Sequence, residues 1–500
     1  MKENNFWSKR TKGISLLLIV ALGIGIRLYD LFDPPLDFFA TRQLRSAILA
    51  RSFFYQFTNN SDLDISQKAI DLGQMGSYEP PILEIIVGFT NSIIGSDNFW
   101  VGRIYNTLFW AIGGLAIYLL TKRFMKFPAI LTGLALYFFL PFSVIASRSL
   151  QPDPGMVMWI ILSGLALFRW SETKSWKWVI IAGFTGGIAI LVKVMAGFFV
   201  MSMLAVITLI VIGIKRLFKH PHPWVIGILM LVPAIIFYLA LNTQRSGDLF
   251  SFWTLGLNRM VLTTEFYADW LAMIKGIISL PMFVAALLGT LLFEKKIRAI
   301  MVGGWIGYGL FGLAFPYHYT THDYYQLTLI PLTAISIIPV LNQIFITLKK
   351  QDFLWRLAAT LILIFASVFS IFVSRSILYA ANYALEPASW KRVGDAIPED
   401  SRFIALTTDY GKRLGYYGWR FPTIEWPSTA DLRLSSLSGN DPLEYDEYFN
   451  NVTAGMDYFL VTASSQLEAQ PQLKEILTNR FPVYVEGNGF IIYDLTKPLK

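Results

Sequence analysis

The sequence predicts an α-helical polytopic membrane protein with about eleven transmembrane helices and a C-terminal extracytoplasmic α/β domain. Three observations predict it. The 500-residue chain is 54% hydrophobic and only 15% charged, with a mean hydropathy of +0.50, too apolar for a water-soluble fold of that length. Apolar runs of about 20 residues, the length that crosses a bilayer, recur along it. From residue 380 onward the texture changes to short strand-like runs between turns.

The spans fall near 14–32, 101–121, 127–146, 154–170, 176–192, 195–214, 223–241, 270–293, 299–316, 324–347 and 354–378. The first resembles a signal peptide, because Lys2, Lys9, Arg10 and Lys12 precede it. Arg27, Leu28, Tyr29 and Asp30 stand where a small-residue cleavage site would be, so it is read as a retained helix. With the N-terminus inside, the inner loops are Thr121–Lys126, Arg169–Lys177, Lys215–Lys219, Glu294–Arg298 and Lys349–Lys350. All are basic, as the positive-inside rule requires. An odd number of spans then leaves the tail outside. This predicts a multi-pass protein of the inner or plasma membrane with a cytoplasmic N-terminus. Residues 1–379 form the membrane module, with an external loop at 33–100, and 380–500 form the soluble extracytoplasmic domain.

Within the external loop, Arg42–Phe57 and Pro81–Ile94 read as helices. The first is only loosely amphipathic, which suits either the membrane surface or packing within protein. A second outer segment, 242–269, holds Arg245, Arg259, Glu265 and Asp269 among aromatics. In the tail, Phe403–Leu406, Tyr458–Val461 and Phe490–Tyr493 read as strands, and Ser465–Arg480 as helical.

The net charge of +8 could suggest a nucleic-acid partner. The positive excess lies in the loops between spans, however, while 380–500 is net acidic, so no nucleic-acid partner is expected. The absence of cysteine excludes disulfides and thiolate zinc sites.

No ionisable residue occupies the middle of a span. They gather at the outer ends: Arg27 and Asp30, Arg103, Arg148 and Asp153, Lys193, Lys275, Arg375. A proton-coupled transporter would place such groups near the midplane, so the pattern points to chemistry at the outer face. Asp37 lies near the start of a predicted helix, where a carboxylate or a phosphate is favoured. The plainer reading, that Asp33 and Asp37 are turn and cap residues, stays open. So does the same choice for Glu79 before Pro80-Pro81 and for Asp153 beside Pro154. His318 and His322 have metal-like i,i+4 spacing next to Asp323. Pro316 and the neighbouring tyrosines favour an interfacial loop that contacts substrate or phosphate.

The run Pro35-Leu36-Asp37-Phe38-Phe39-Ala40-Thr41-Arg42-Gln43, followed by Ala47–Arg51, resembles the bacterial GT-C glycosyltransferases. These are membrane relatives of the dolichyl-phosphate-mannose protein mannosyltransferases and of the aminoarabinose lipid A transferase. Glu79–Leu83, Ser147–Pro154 and His322–Tyr325 agree with it, and the resemblance covers residues 1–350 in order and topology. It implies an inverting glycosyltransferase that moves a sugar from a polyprenyl-phosphate donor to an acceptor hydroxyl on envelope lipid, glycan or protein. It implies Asp37 as general base, with Glu79 and Asp153 holding acceptor or orienting donor. Arg42, Arg51, Arg148, Lys193 and His322 become candidate phosphate partners, with Lys193 first among them. No cofactor and no metal ligand is expected, although a divalent metal stays open; membrane lipid is the other partner. Pro80 stands where the lipid A enzymes have a lysine, and Phe38 where the protein-directed members have a second acid. Both departures argue against those two assignments. The competing readings are a lipid-linked-glycan transporter or flippase, and a non-catalytic envelope-complex subunit of the same fold.

Overall fold

The computed structural model describes residues 8–58, 62–74, 79–241, 249–438 and 443–499. Lys2 and Arg245 lie outside the described residues. The chain divides into two units, the first comprising Met1–Phe32, Ser77–Leu83 and Trp100–Ala381, the second Asp33–Gly76, Glu84–Phe99 and Asn382–Lys500.

The first unit is helical, and each of the eleven apolar segments forms helix there. Six helices are long and apolar enough to cross a membrane: Trp100–Thr121, Asp153–Thr173, Pro221–Ala240, Lys295–Ala314, Asp323–Leu348 and Phe353–Ala380. Two bent pairs bring the number to eight among the described residues. Lys9–Arg27 has cationic ends, and Trp176–Val192 and Ala196–Val211 are shorter. Only 6% of the apolar window of Phe353–Ala380 is buried within the protein. Its Ile362, Phe365 and Phe372 point outward, a surface that hydrocarbon rather than water would cover.

The bends have local causes. Phe127–Phe139 and Pro141–Arg148 meet at 57°, where Pro141 cannot donate the next helical hydrogen bond. Backbone carbonyls freed inside a membrane need a partner, and Arg27 supplies it. Its Nη1 donates to the Phe138 carbonyl at 2.9 Å and the Gly23 carbonyl at 2.8 Å, and its Nε to Ser147 Oγ at 2.7 Å. Thr264–Ile278 and Leu280–Leu291 meet at 89°, with Ser279 in the left-handed region (φ 66°) and Pro281 starting the second helix.

Helix contact in this unit relies on small residues. Gly303 and Gly307 of Lys295–Ala314 form a small-xxx-small pair against Ala196–Val211. A Cβ at Gly307 would stand 2.5 Å from the Phe198 carbonyl oxygen and 2.6 Å from Phe199 Cα. Gly307→Ala is therefore expected to cost ~1–3 kcal/mol, read as a lowered unfolding temperature of the detergent-solubilised protein.

The second unit is built on a five-stranded mixed sheet in the order β2-β1-β3-β5-β4, with β1 Phe403–Leu406, β2 Ile424–Glu425, β3 Tyr458–Val461, β4 Val483–Gly487 and β5 Phe490–Asp494. β1 runs parallel to β2 and β3, and β5 is antiparallel to β3 and β4. All four residues of β1 are buried, as a parallel strand covered on both faces requires. The period of two sorts them. Phe403 and Ala405 face Trp390, Val393 and Leu414. Ile404 and Leu406 face Trp426, Phe449 and Leu473.

The external-loop helices Ala40–Phe57 and Leu63–Gly73 belong to this same unit. Leu44, Ala47, Ile48, Ala50 and Phe54 of the first are buried. Of its two possible placements, packing within protein is the one adopted.

Candidate functional site

In the membrane unit the charges cluster where helix ends meet. Asp153 is the first residue of Asp153–Thr173, where the helix dipole favours an anion. Lys193 follows the last turn of Trp176–Val192, in extended conformation (φ −158°, ψ 122°). That end favours a cation. The two helices pack together, and Lys193 Nζ reaches Asp153 Oδ1 at 2.7 Å. Both side chains are enclosed, at 0% and 1% exposure. The second carboxylate oxygen of Asp153 is buried without a hydrogen bond. The ammonium also lies 4.4 Å from the Tyr325 ring centre and 5.0 Å from that of Tyr324.

Those tyrosines begin a 3-10 turn, Asp323–Thr328, after the short helix Pro316–Thr321. The stretch is thus helical rather than a loop, because Pro316 starts a turn that Tyr319, packed on Tyr308 and Phe311, anchors to the core. The His318 and His322 rings lie with centres 5.2 Å apart, tilted 43° to each other. His322 Nδ1 is 2.7 Å from Thr321 Oγ1, and its ring is 5.6 Å from Tyr324. Among the described residues no group of three or more acidic, histidine or cysteine ligands could hold a metal.

Arg148 closes Pro141–Arg148 and donates from Nη2 to the Asp30 carbonyl at 2.9 Å. Arg103 donates to the Leu31 carbonyl at 2.9 Å. Glu79, half-buried, acts electrostatically on the Tyr238 hydroxyl, which donates to the Leu191 carbonyl two residues before Lys193. Of the expected site residues, the structure therefore joins Asp153 to Lys193 directly and brings His322 to the same tyrosines.

In the second unit, Asp37 precedes a strained turn. Phe39 adopts φ 46°, ψ 69° at the N-cap of Ala40–Phe57 with no side-chain cap, an uncommon conformation for a bulky residue. Asp37 is therefore not the helix cap. Its Oδ1 accepts from Gln43 Nε2 at 2.9 Å, and the same amide nitrogen donates to the Phe38 carbonyl at 2.7 Å. Asp33 accepts from the Tyr383 backbone N–H at 2.9 Å, a contact with a segment distant in sequence. Arg42 stands half-buried on the first turn of the helix.

Arg51 is engaged by protein groups on every side. Nε donates to Asp97 Oδ2 at 2.6 Å and Nη1 to the Tyr416 carbonyl at 2.6 Å. The guanidinium lies 3.9 Å from the Tyr416 ring centre and 4.5 Å from that of Trp419. Burial, the largest influence, would lower its pKa, but the Asp97 carboxylate and Tyr416 together outweigh it and the net shift is upward. Asp97, Tyr416 and Trp419 carried no signal of this role in the sequence. They lie 46 and 365 residues away for the first two.

The turn after β1 adds a second strained segment, in which Asp409 (φ 59°), Tyr410 (φ 52°) and Gly411 (φ 67°) are all left-handed. Asp409 accepts from Thr41 Oγ1 at 3.1 Å and Arg413 Nε at 2.5 Å. At the end of β2, Glu425 is pushed up to about 8 by burial, with the Thr407 hydroxyl and Lys412 pulling the other way. Lys412 is pulled down to about 8 by burial first and by Arg45 second, with Glu425 opposing.

The folded state thus holds a proton on Glu425 where the unfolded chain, at its ordinary 4.5, does not. Stability falls as pH rises through that window. Lys412, lowered to about 8, titrates above that window. Glu425→Gln should therefore raise the unfolding temperature of the full chain at pH 8 and lose that advantage toward pH 4.5.

Comparison with solved structures gives the fold. ArnT from Cupriavidus metallidurans bound to undecaprenyl phosphate superposes with a TM-score of 0.57 at 12% identity, covering 95% of this chain and 97% of that one. In fold, this chain resembles the GT-C membrane glycosyltransferases. The apo form of ArnT gives 0.57 at 13% identity over 97% and 98%. The oligosaccharyltransferase AglB from Archaeoglobus fulgidus, in complex with an inhibitory peptide and a dolichol-phosphate, gives 0.56 at 12% over 97% of this chain and 74% of that one. The sequence profile of the dolichyl-phosphate-mannose-protein mannosyltransferases matches residues 78–246, the stretch that carries Glu79, Arg148, Asp153 and Lys193. Among curated proteins no significant sequence match was found.

Proposed function

We propose that this protein is an inverting glycosyltransferase that moves a sugar from a polyprenyl-phosphate donor to an acceptor hydroxyl at the outer membrane face. The observation that carries the reading is the Asp153–Lys193 pair, buried at helix ends with one carboxylate oxygen left unbonded. A buried pair with an unsatisfied oxygen is a costly way to join two helices. Such cost is met where charge does chemistry. The likeness to ArnT bound to undecaprenyl phosphate supports a lipid-phosphate donor.

In this proposal eleven helices cross the membrane, the N-terminus is cytoplasmic and residues 380–500 are extracytoplasmic. Asp37 is the general base. It takes the proton as the acceptor oxygen bonds to the anomeric carbon and the carbon–oxygen bond to the lipid phosphate breaks, its electron pair leaving with the phosphate. Gln43 fixes the orientation of that carboxylate. Lys193, Arg148, Arg42 and His322 offset the phosphate's charge, while Asp153 and Glu79 hold acceptor or orient donor. Arg51, occupied by Asp97 and two aromatic rings, ties its own unit together instead.

The test is a donor screen. Membranes containing the full chain are given several polyprenyl-phosphate sugars, and the glycosylated product and released lipid phosphate are both measured. Consumption of one donor with a new glycosidic product is the expected result. Transport of lipid-linked sugar across the bilayer with every donor left intact would overturn the reading in favour of a flippase.

A further inference from the structure

A cavity lies wholly within the second unit. It is an open groove of about 670 Å³, within the usual range of small-molecule sites, about 300–1,000 Å³. One wall is Tyr55, Ile65 and Lys68 from the external-loop helices; the other is formed by residues 391–399 and 417–420. The floor is a close backbone approach, since a Cβ on Gly394 would overlap the Gly418 carbonyl. Next to that floor stands Trp419, held at φ 56°, a strained setting for a bulky side chain. Its ring is braced by the Arg51 guanidinium at 4.5 Å and by the edge of Tyr55 at 6.3 Å.

Of the five charges along the rim, four are paired. Lys391 pairs with Asp395 at 2.8 Å, Lys68 lies 3.7 Å from Glu399, and Arg420 donates to the Ile397 and Glu399 carbonyls. The groove therefore offers many donors and acceptors around a single excess charge, that of Arg420, whose guanidinium is already held by backbone carbonyls, an arrangement that suits a neutral polyhydroxylated ligand better than a phosphate. A braced aromatic surface adds an apolar face for ring C–H groups.

We propose that this groove is a saccharide-binding site that seats the glycan portion of the acceptor. Saccharide binding stands on the groove alone; the acceptor role rests on the sugar-transfer reading above. The test uses saturation-transfer NMR on the detergent-solubilised full chain with cellobiose, mannobiose and N,N′-diacetylchitobiose as probes. Saturation transfer to at least one disaccharide is expected, reduced about tenfold in Trp419→Ala. Ile65→Trp, a bulky change at an exposed position on Leu63–Gly73, should block the groove without touching the core, whereas Ile65→Ala should bind as before.

No signal with any of the three probes, equal signal in Ile65→Trp, or capture of a soluble peptide in preference to all three sugars each overturns the proposal. If the disaccharide signal is present and Ile65→Trp removes it, while no polyprenyl-phosphate sugar is consumed, the groove stands and the transferase reading falls. If transfer proceeds and Ile65→Trp changes neither binding nor product, the groove alone falls.

Discussion

Membranes carrying Asp37→Asn are expected to lose sugar transfer by ~10²–10⁴-fold, the usual contribution of a positioned general base, with the abundance of the protein unchanged. The substitution is nearly isosteric. The asparagine side chain keeps an oxygen that can accept the Gln43 amide, which stands 2.9 Å from the native carboxylate. What it removes is the capacity to take a proton. Because Asp37 caps no helix, the loss cannot come from a frayed helix start. Gln43→Leu should act more weakly, through orientation alone, and should be partly compensated at higher acceptor concentration. Wild-type turnover in the Asp37→Asn variant, measured with the donor identified by the screen, would remove Asp37 from the role of base.

The sequence made the long apolar segments and the central strands legible because each is a local pattern. Phe403–Leu406 and Tyr458–Val461 coincide with the strands in the structure. β2 and β4 escaped because neither carries a buried run: β2 is two residues long, and Val483, Tyr484 and Glu486 of β4 face solvent at the sheet edge. The bends at Pro141 and Ser279 were hidden inside continuous apolar stretches, where hydropathy does not register direction.

The site was legible only in part. Charges at helix ends drew attention to Asp153 and Lys193 as separate residues; that they meet depends on how two helices pack. Arg51 resembled a phosphate ligand because its partner Asp97 and the Tyr416 carbonyl are set by tertiary structure. The grouping of the external-loop helices with the C-terminal sheet had no sequence signal either. It rests on contacts such as Thr41 to Asp409, 368 residues apart.

The largest stability effect is expected at the Asp153–Lys193 pair, and a double-mutant cycle separates its structural from its chemical role. Lys193→Met keeps the length of the side chain and removes its charge, leaving a fully enclosed carboxylate opposite nothing. Breaking a buried pair from one side costs ~3–5 kcal/mol, so the unfolding temperature should fall sharply and transfer should cease. Asp153→Asn alone removes the carboxylate from the ammonium, and the Tyr324 and Tyr325 rings soften the effect through their cation–π contacts. In the double variant neither charge remains. Replacing both members of a buried pair with neutral groups of similar volume is often close to neutral, so stability should return near the wild-type value. Transfer should not return, because a neutral thioether in place of the ammonium offers nothing to a departing phosphate. A double variant that regains both stability and turnover would show that the pair only joins two helices, and the phosphate role would then pass to Arg148, Arg42 and His322.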